Sequence, residues 1–292
     1  MKNDQVIKNY RRDDRLRASF NELAQKTFQI EFEDWYQNGY WSDKYNPYSI
    51  VIDGKIAANV SVSRMDFILD GYTKHYLQLG TVMTAEPYRR QGLIRRIMEE
   101  IERDYSQGID GIFLFANDSV LDFYPKFGFR RAKEYQYAKE VSVTEAKRIV
   151  QVPMREKKDW DILERAVRSS VPCGSFEMTG NSELIMFYVT KFMQDQVFYD
   201  RQQDAYVIAE QEADELVICN VFSPREVNLD ELIGAFGREN KKVRFGFTPK
   251  AADAAGCTVS ELKEQDTTLF VKGRGFSGFE ERKLMIPVLA HT

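Results

Sequence analysis

The sequence predicts a mixed α/β (α+β) fold, a largely antiparallel sheet flanked by helices, in two tandem copies. Three observations carry this. Two Asp-Gly turns, Asp53-Gly54 and Asp70-Gly71, join alternating apolar stretches, the short-range signature of antiparallel hairpins. A one-sided helical stripe from Leu93 to Tyr105 leads into the wholly apolar run Gly111–Ala116, as a helix crossing to a buried strand requires. The chain has 292 residues, enough for two domains of about 150, and its pattern restarts after Val143.

The elements follow in order. Residues 13–28 place Leu16, Phe20, Leu23, Ala24 and Phe28 at helical spacing. A second short helix is expected over 31–38, then an aromatic loop with Tyr36, Tyr40, Trp41, Tyr45 and Tyr48. Strands are expected at 48–52, 56–67 and 75–84. Gly80 inside the third marks a bulge or a close approach. In the next helix Leu93, Ile94, Ile97, Met98, Ile101 and Tyr105 share a face, with Arg95–Glu99 and Arg96–Glu100 as i,i+4 pairs on the wet side. After the strand 111–116, Asp118 or Ser119 can cap a short helix ending at Gly128. A closing strand is expected at 135–143.

The second half predicts helices at 159–169 and 182–193, a hairpin of 205–210 with 215–222, and a helix at 229–236. Strands at 242–247, 267–272 and 283–289 follow, with a helix beginning in 249–255. This order echoes the first half without echoing its sequence. The expected division is 1–143 and 144–292.

Composition narrows the class. With 43% hydrophobic and 29% charged residues, the chain is an ordinary globular protein. No window holds the ~20 apolar residues of a membrane-spanning helix, and Met1-Lys2-Asn3-Asp4-Gln5 leads into charge instead of an apolar signal core. A cytoplasmic protein with no membrane association is the expectation. Forty-one basic and 45 acidic residues give a net charge of −4, which points away from nucleic acid as a partner. Cys173, Cys219 and Cys257 form no CxxC and suit a reducing compartment. The two histidines, His75 and His291, suggest neither a metal centre nor a Ser-His-Asp triad. No metal is expected.

The chemistry concentrates in Leu79–Ile94. A strand ends, a tight turn follows and a helix begins near Gly92, with Arg89, Arg90, Arg95 and Arg96 within eight residues. Unpaired N–H groups and the helix dipole favour an anion there, and glycine lets a phosphate reach the backbone. A solvated, arginine-rich helix start is the plainer alternative.

This stretch resembles motif A of the GNAT superfamily of acetyl-CoA-dependent N-acetyltransferases, whose pattern is Gln/Arg-x-x-Gly-x-Gly/Ala. Arg89, Gly92 and Ile94 stand at the three marked places, and Ile94 departs from the pattern. A bulkier residue there is similar to members of the enhanced-intracellular-survival type, which fuse two GNAT-like domains. Asp118-Ser-Val-Leu-Asp-Phe-Tyr124-Pro-Lys-Phe-Gly128-Phe resembles motif B, a tyrosine shortly before Gly-Phe. The resemblance covers residues 1–141 in element order.

The resemblance implies a GNAT-like sheet whose two central strands splay apart to admit the pantetheine arm of acetyl-CoA, the co-substrate. Val82, Met83 and Thr84 would pair with that arm. Arg89, Arg90, Gln91, Gly92, Leu93 and Ile94 would hold the pyrophosphate. The backbone N–H near Met83 would face the thioester carbonyl and stabilise the tetrahedral oxyanion. Tyr124 would protonate the leaving thiolate, although as a residue type it also suits the core beside Phe123, Phe127 and Phe129. Asn117 would touch the pantetheine or the acceptor, or serve only the helix start. The acceptor would be a small-molecule amine, attacking directly.

An amine with a pKa near 10 must lose a proton before attack. Gln78 stands where some members carry a glutamate base. Glu86, Glu31, Glu33 and Asp34 are candidates by proximity in the sequence, and a water chain serves equally. Tyr36, Tyr40, Trp41 and Tyr45 would form either an acceptor pocket or a helix–sheet core. The second half lacks motif A: Ser223-Pro-Arg-Glu-Val-Asn228 holds no glycine and places Glu226 against any phosphate. It reads as a degenerate GNAT-like domain that covers the acceptor cleft or makes a homodimer contact. The alternative to an enzyme is a non-catalytic acyl-CoA-binding regulatory module.

Overall fold

The computed structural model describes residues 5–144 and 146–292; the charged run Met1–Asp4 lies outside them. Helix α1 (Asp14–Phe28) is capped by Asp13, whose side chain accepts from the N–H groups of Arg15 and Leu16 at 3.0 and 3.1 Å. It buries Phe20, Leu23 and Ala24. The short α2 (Glu33–Gln37) follows. Strands β1 (Tyr45–Ile52), β2 (Lys55–Leu69) and β3 (Tyr72–Thr84) form an antiparallel meander through the two Asp-Gly turns. Asp53, Gly54, Asp70 and Gly71 all take positive φ, the backbone that type I′ hairpin turns demand. Helix α3 (Leu93–Asp104) lays Leu93, Ile97, Met98 and Ile101 on this sheet and leads to β4 (Gly111–Ala116), parallel to β3.

The second half repeats the plan. It begins with α4 (Lys157–Ser169), β6 (Gly174–Thr179) and α5 (Ser182–Lys191), after the strand β5 (Tyr135–Glu140). Strands β7 (Val197–Asp200), β8 (Ala205–Glu212) and β9 (Glu215–Phe222) form an antiparallel run. Helix α6 (Leu229–Ala235) then crosses to β10 (Lys242–Phe245), which is parallel to β9. The strands β11 (Thr258–Glu261) and β12 (Thr268–Lys272) complete it.

The two halves exchange strands. β5, near the end of the first half, lies in the second sheet between β10 and β11. β12, which closes the second unit, lies antiparallel to β4 in the first sheet, with Leu269 opposite Phe115 and Phe270 opposite Leu114. β6 also joins the first sheet, pairing with β2 at Asp66–Leu69. The expected closing strand at 135–143 therefore forms, but on the other sheet. The apolar faces of both sheets are completed by residues from the opposite half.

Three expectations are corrected. The single short helix before Gly128 is two 3-10 turns, Asp118–Val120 and Tyr124–Phe127, and neither Asp118 nor Ser119 caps it. Pro125 lacks the N–H an α-helix would use there. Where a helix is expected in 249–255, Thr248–Pro249 is a two-residue strand and residues 251–256 form turns. Residues 283–287 are irregular, because their backbone is held by other partners. Met285 N–H donates to Thr248 Oγ1, Ile286 N–H to Glu134 Oε1 and Val288 N–H to the Gly246 carbonyl. Satisfied polar groups do not need a ladder.

Candidate active site

Parallel pairing between β3 and β4 is confined to Tyr76↔Gly111, Leu77↔Ile112 and Gln78↔Phe113. Beyond Gln78 and Phe113 the two strands share no pairing. β3 is also bulged against β2. Ser61 faces Gly80, then Asn59 faces Met83. Thr81 takes φ +46° to absorb the extra length. It is fixed there by Asn59 Nδ2, which donates to its carbonyl at 2.9 Å, and by Tyr45, whose hydroxyl lies 2.7 Å from Thr81 Oγ1. The end of pairing with β4 on one side and the bulge against β2 on the other open the sheet at Leu79–Thr84.

A cavity of about 880 Å³ occupies the opening. Val82, Met83, Thr84, Arg89, Ile94, Asn117 and Tyr124 all line it, so residues far apart in the sequence meet at one cavity. Arg90, Gln91 and Gly92 are exposed in the loop before α3. Leu93 puts its side chain into the core.

The loop is held by its own side chains. Arg89 Nε donates to the Thr84 carbonyl at 3.3 Å, and Gln91 Nε2 to that of Pro87 at 3.0 Å. Gly92 is left-handed with φ +76°, has open space where a Cβ would stand, and no side chain caps α3. The first-turn N–H groups are thus left for an external acceptor, with arginines around them. That arrangement suits the pyrophosphate of a nucleotide thioester. The equivalent start of α6 differs. Asn228 accepts from the N–H groups of Asp230 and Glu231 at 3.0 and 3.2 Å, and the first turn is acidic. Glu226 pairs with Lys250 at 3.0 Å. No comparable anion site exists at α6.

Tyr124 is buried, edge-on to Phe123 at 5.3 Å and 5.7 Å from the Phe270 ring of β12. Burial pushes its hydroxyl up to about 12, so it keeps its proton at neutral pH. It is both a core aromatic and a cavity wall. Asn117 stands at the start of the 3-10 turn Asp118–Val120, where its carbonyl accepts from Val120 N–H at 3.0 Å while its side chain makes no capping bond; it both enters the turn and lines the cavity.

The acidic candidates stand elsewhere. Glu33 receives Arg17 at 2.8 Å, which holds its carboxylate below the usual range. Glu31 pairs with Lys191 at 3.0 Å. Asp34 and Glu86 are not cavity residues, and Gln78 is buried with Oε1 unpartnered. Of the four expected acceptor aromatics only Tyr45 lines the cavity. Tyr40 and Trp41 are core, and Tyr36 packs beside them under the Arg17 guanidinium at 3.8 Å.

The sequence reading gave covering of the cleft as one of two roles for the second half but named none of the residues that do it. Leu184, Phe187 and Tyr188 from α5 and Phe192 at its C-terminal end, with His291 and Thr292, close the cavity opposite β3. One signal was present: Leu184–Val189 is six apolar residues in a row within a helix, more than one buried face needs. Among the described residues no group of three or more His, Cys, Asp and Glu is placed to hold a metal, and no helix is long and apolar enough to cross a membrane.

Residues 10–129 match the family model described as the acetyltransferase (GNAT) family. Solved structures share the fold. A conserved protein of unknown function from Enterococcus faecalis V583, termed a probable N-acyltransferase, aligns at TM-score 0.63 and 15% identity over 94% of this chain and 74% of its own. A GCN5-related N-acetyltransferase from Kribbella flavida aligns at TM-score 0.55 and 15% identity over 92% and 71%. Eis1 from Mycobacterium abscessus aligns at TM-score 0.50 and 11% identity over 81% and 70%. No curated protein matches.

Proposed function

We propose that this chain, an acetyltransferase whose residues 10–129 form a GNAT domain, moves the acetyl group of acetyl-CoA directly to the nitrogen of an amine. The observation that carries the reading is the meeting of an uncapped, arginine-flanked helix start with a splayed strand pair and a buried tyrosine in one cavity. When bound, acetyl-CoA supplies an activated thioester carbonyl and a thiolate leaving group.

The chain's own residues do the rest. Arg89, Arg90 and the first-turn N–H groups from Gly92 to Ile94 bind the pyrophosphate, and Gln91 braces the loop. Val82 to Thr84 align the pantetheine by backbone pairing, with Asn117 as a polar contact from the other strand. The Met83 N–H steadies the thioester oxygen as charge develops. Tyr124, held protonated by burial, delivers a proton to the departing sulfur. The catalytic unit is taken as 1–143 and the second unit, 144–292, as its partner that walls the acceptor side.

The test separates an enzyme from a binding module. Tyr124→Phe should lower the rate of free CoA release about a hundredfold while acetyl-CoA binding, measured by calorimetry, stays within about twofold. No acetyl-CoA binding by the wild-type chain would remove the whole reading.

A further inference from the structure

The strained residue of β3 is Thr81. A β-branched side chain at φ +46° is a rare conformation that its surroundings must hold in place. Thr81 is held twice. Its carbonyl accepts from Asn59 Nδ2, and its Oγ1 lies against the Tyr45 hydroxyl.

Asn59 is fixed in its turn. It is fully buried. Its Oδ1 accepts from Ser49 Oγ at 2.7 Å, and its Nδ2 also donates to Ser61 Oγ at 3.0 Å. Ser49 Oγ lies 2.7 Å from the buried Tyr10 hydroxyl. Since a carbonyl can only accept, Thr81 decides which end of the amide faces β3. The polar chain thus runs from Tyr10, ahead of α1, through β1 and β2 to the bulge. Polar side chains inside a sheet are costly unless every one is paired. Here they are paired, and the chain ends on the carbonyl of the strained residue.

That carbonyl is one the ladder does not serve. Ser61 pairs with Gly80 and Asn59 with Met83, so Thr81 and Val82 have no partner residue on β2. The peptide joining them is trans, and in a trans peptide the carbonyl and the following N–H point opposite ways. With the Thr81 carbonyl turned to Asn59 on β2, the Val82 N–H is turned away from β2, to the side on which β4 has parted from β3. Thr81 and Val82 both line the cavity.

We propose that Asn59 is a positioning residue for acetyl transfer. Through the Thr81 carbonyl it sets the peptide that turns the Val82 N–H to the opening, and so the register of Val82, Met83 and Thr84 along the donor. The proposal rests on the acetyl-transfer reading above. Asn59 touches no reactant and acts through this one peptide. Without it, the strained peptide rotates back and the thioester loses its alignment. The pyrophosphate contacts at α3 are untouched, so turnover falls and affinity for the donor stays.

The experiment measures free CoA release from acetyl-CoA with water, phenethylamine and spermidine as nucleophiles. Calorimetric binding of acetyl-CoA and urea melts accompany it, at a temperature where each variant assayed is folded. Asn59→Leu should lower kcat at least tenfold, with KM and Kd for acetyl-CoA within about threefold. Rescue separates positioning from packing. Glycine takes positive φ without strain, so Thr81→Gly added to Asn59→Leu should recover kcat at least threefold while the urea midpoint stays low. Tyr45→Phe removes only the other hold on Thr81, and covers the case in which Asn59→Leu does not fold. It should lower kcat about threefold with the same unchanged KM. An unchanged kcat, a rise in KM with kcat kept, or a loss that Thr81→Gly does not reverse would overturn the inference and spare the transfer reading. A wild-type chain that binds no acetyl-CoA, or binds it and releases no CoA, would overturn both.

Discussion

The imidazole of His291 lies on the ring of Phe115, with centroids 3.8 Å apart and planes 26° from parallel. Phe115 is on β4, beside the splayed opening, and His291 comes from the far end of the second half. The contact places a titratable ring inside an apolar wall, with Nε2 buried and unpartnered. Burial lowers its pKa to about 4.

That shift predicts an acid limit to stability. Between about 6.5 and 4 the unfolded chain binds a proton that the folded chain refuses. Stability is therefore unaffected by this group above pH 6.5 and falls as pH drops toward 4, by on the order of 3 kcal/mol. Carboxylates titrate in the same window, so the readout is a difference. His291→Leu should show a shallower loss of urea midpoint from pH 7 to 4.5 than wild type. Parallel slopes would exclude His291 as the cause.

Glu134 gives the opposite sign. It is buried, accepts from Ile286 N–H at 2.8 Å, and burial pushes its pKa up to about 8. The folded chain keeps this proton where the unfolded chain has lost it. Its contribution is complete below about pH 4.5 and declines as pH rises through 8. Glu134→Gln keeps a neutral acceptor in the same shape. It should match wild type at pH 5 and be more stable at pH 8.5, by on the order of 4 kcal/mol. Equal stability at both pH values would show that the carboxyl ionises without cost.

Gly80 links the bulge to the far end of the chain. A Cβ there would stand 2.5 Å from the Thr292 carbonyl oxygen, closer than real contacts allow. Gly80→Ala must displace residues 291–292 from the cavity wall. The expected cost is about 1–3 kcal/mol, with a fall in amine turnover and little change in acetyl-CoA binding. An unchanged melting temperature and turnover would show that this end yields freely.

Much of this was readable from residue order. The Asp-Gly turns fixed the meander because only their positive φ suits those turns, and the α3 stripe and the Gly111–Ala116 run fixed the crossover. Arg89 and Tyr124 could be expected near one another because two motifs bracket one strand, and both line the cavity. What local pattern could not give was partner choice. Nothing in Tyr135–Glu140 says it will leave its own sheet, since alternation sets which side chains face inward but not which strand lies alongside. The wall from α5 and the coverage of Phe115 by His291 are non-local for the same reason. The carboxylates near Phe32 looked functional by proximity, and Arg17 and Lys191 claimed them.

The helix starts at Gly92 and Asn228 make a matched pair for a charge test. Arg89→Glu with Arg90→Glu should weaken CoA binding at least tenfold, since each reversed charge replaces attraction with repulsion at an exposed but dipole-focused site. Asn228→Ala should leave CoA binding unchanged and cost about 1 kcal/mol, the value of a lost cap. Calorimetric titration and urea melts read both. Weakened CoA binding in Asn228→Ala, or none in the double arginine variant, would move the anion site away from α3.

Strand exchange predicts how the molecule melts. β12 pairs with β4 and β5 pairs with β10, so neither sheet is complete within its own half. Phe270 is fully buried and stands 5.7 Å from the Tyr124 ring, carrying a second-half side chain into the first-half core. One cooperative transition should therefore cover both halves in calorimetry, where independent tandem domains would give two. Phe270→Ala should cost about 3–5 kcal/mol, as large aromatic truncations in cores do. The whole transition should move down in temperature without splitting, and acetyl transfer should fall because Tyr124 loses a packing partner. A split transition, with only the first half destabilised, would show that the exchanged strands do not couple the two sheets.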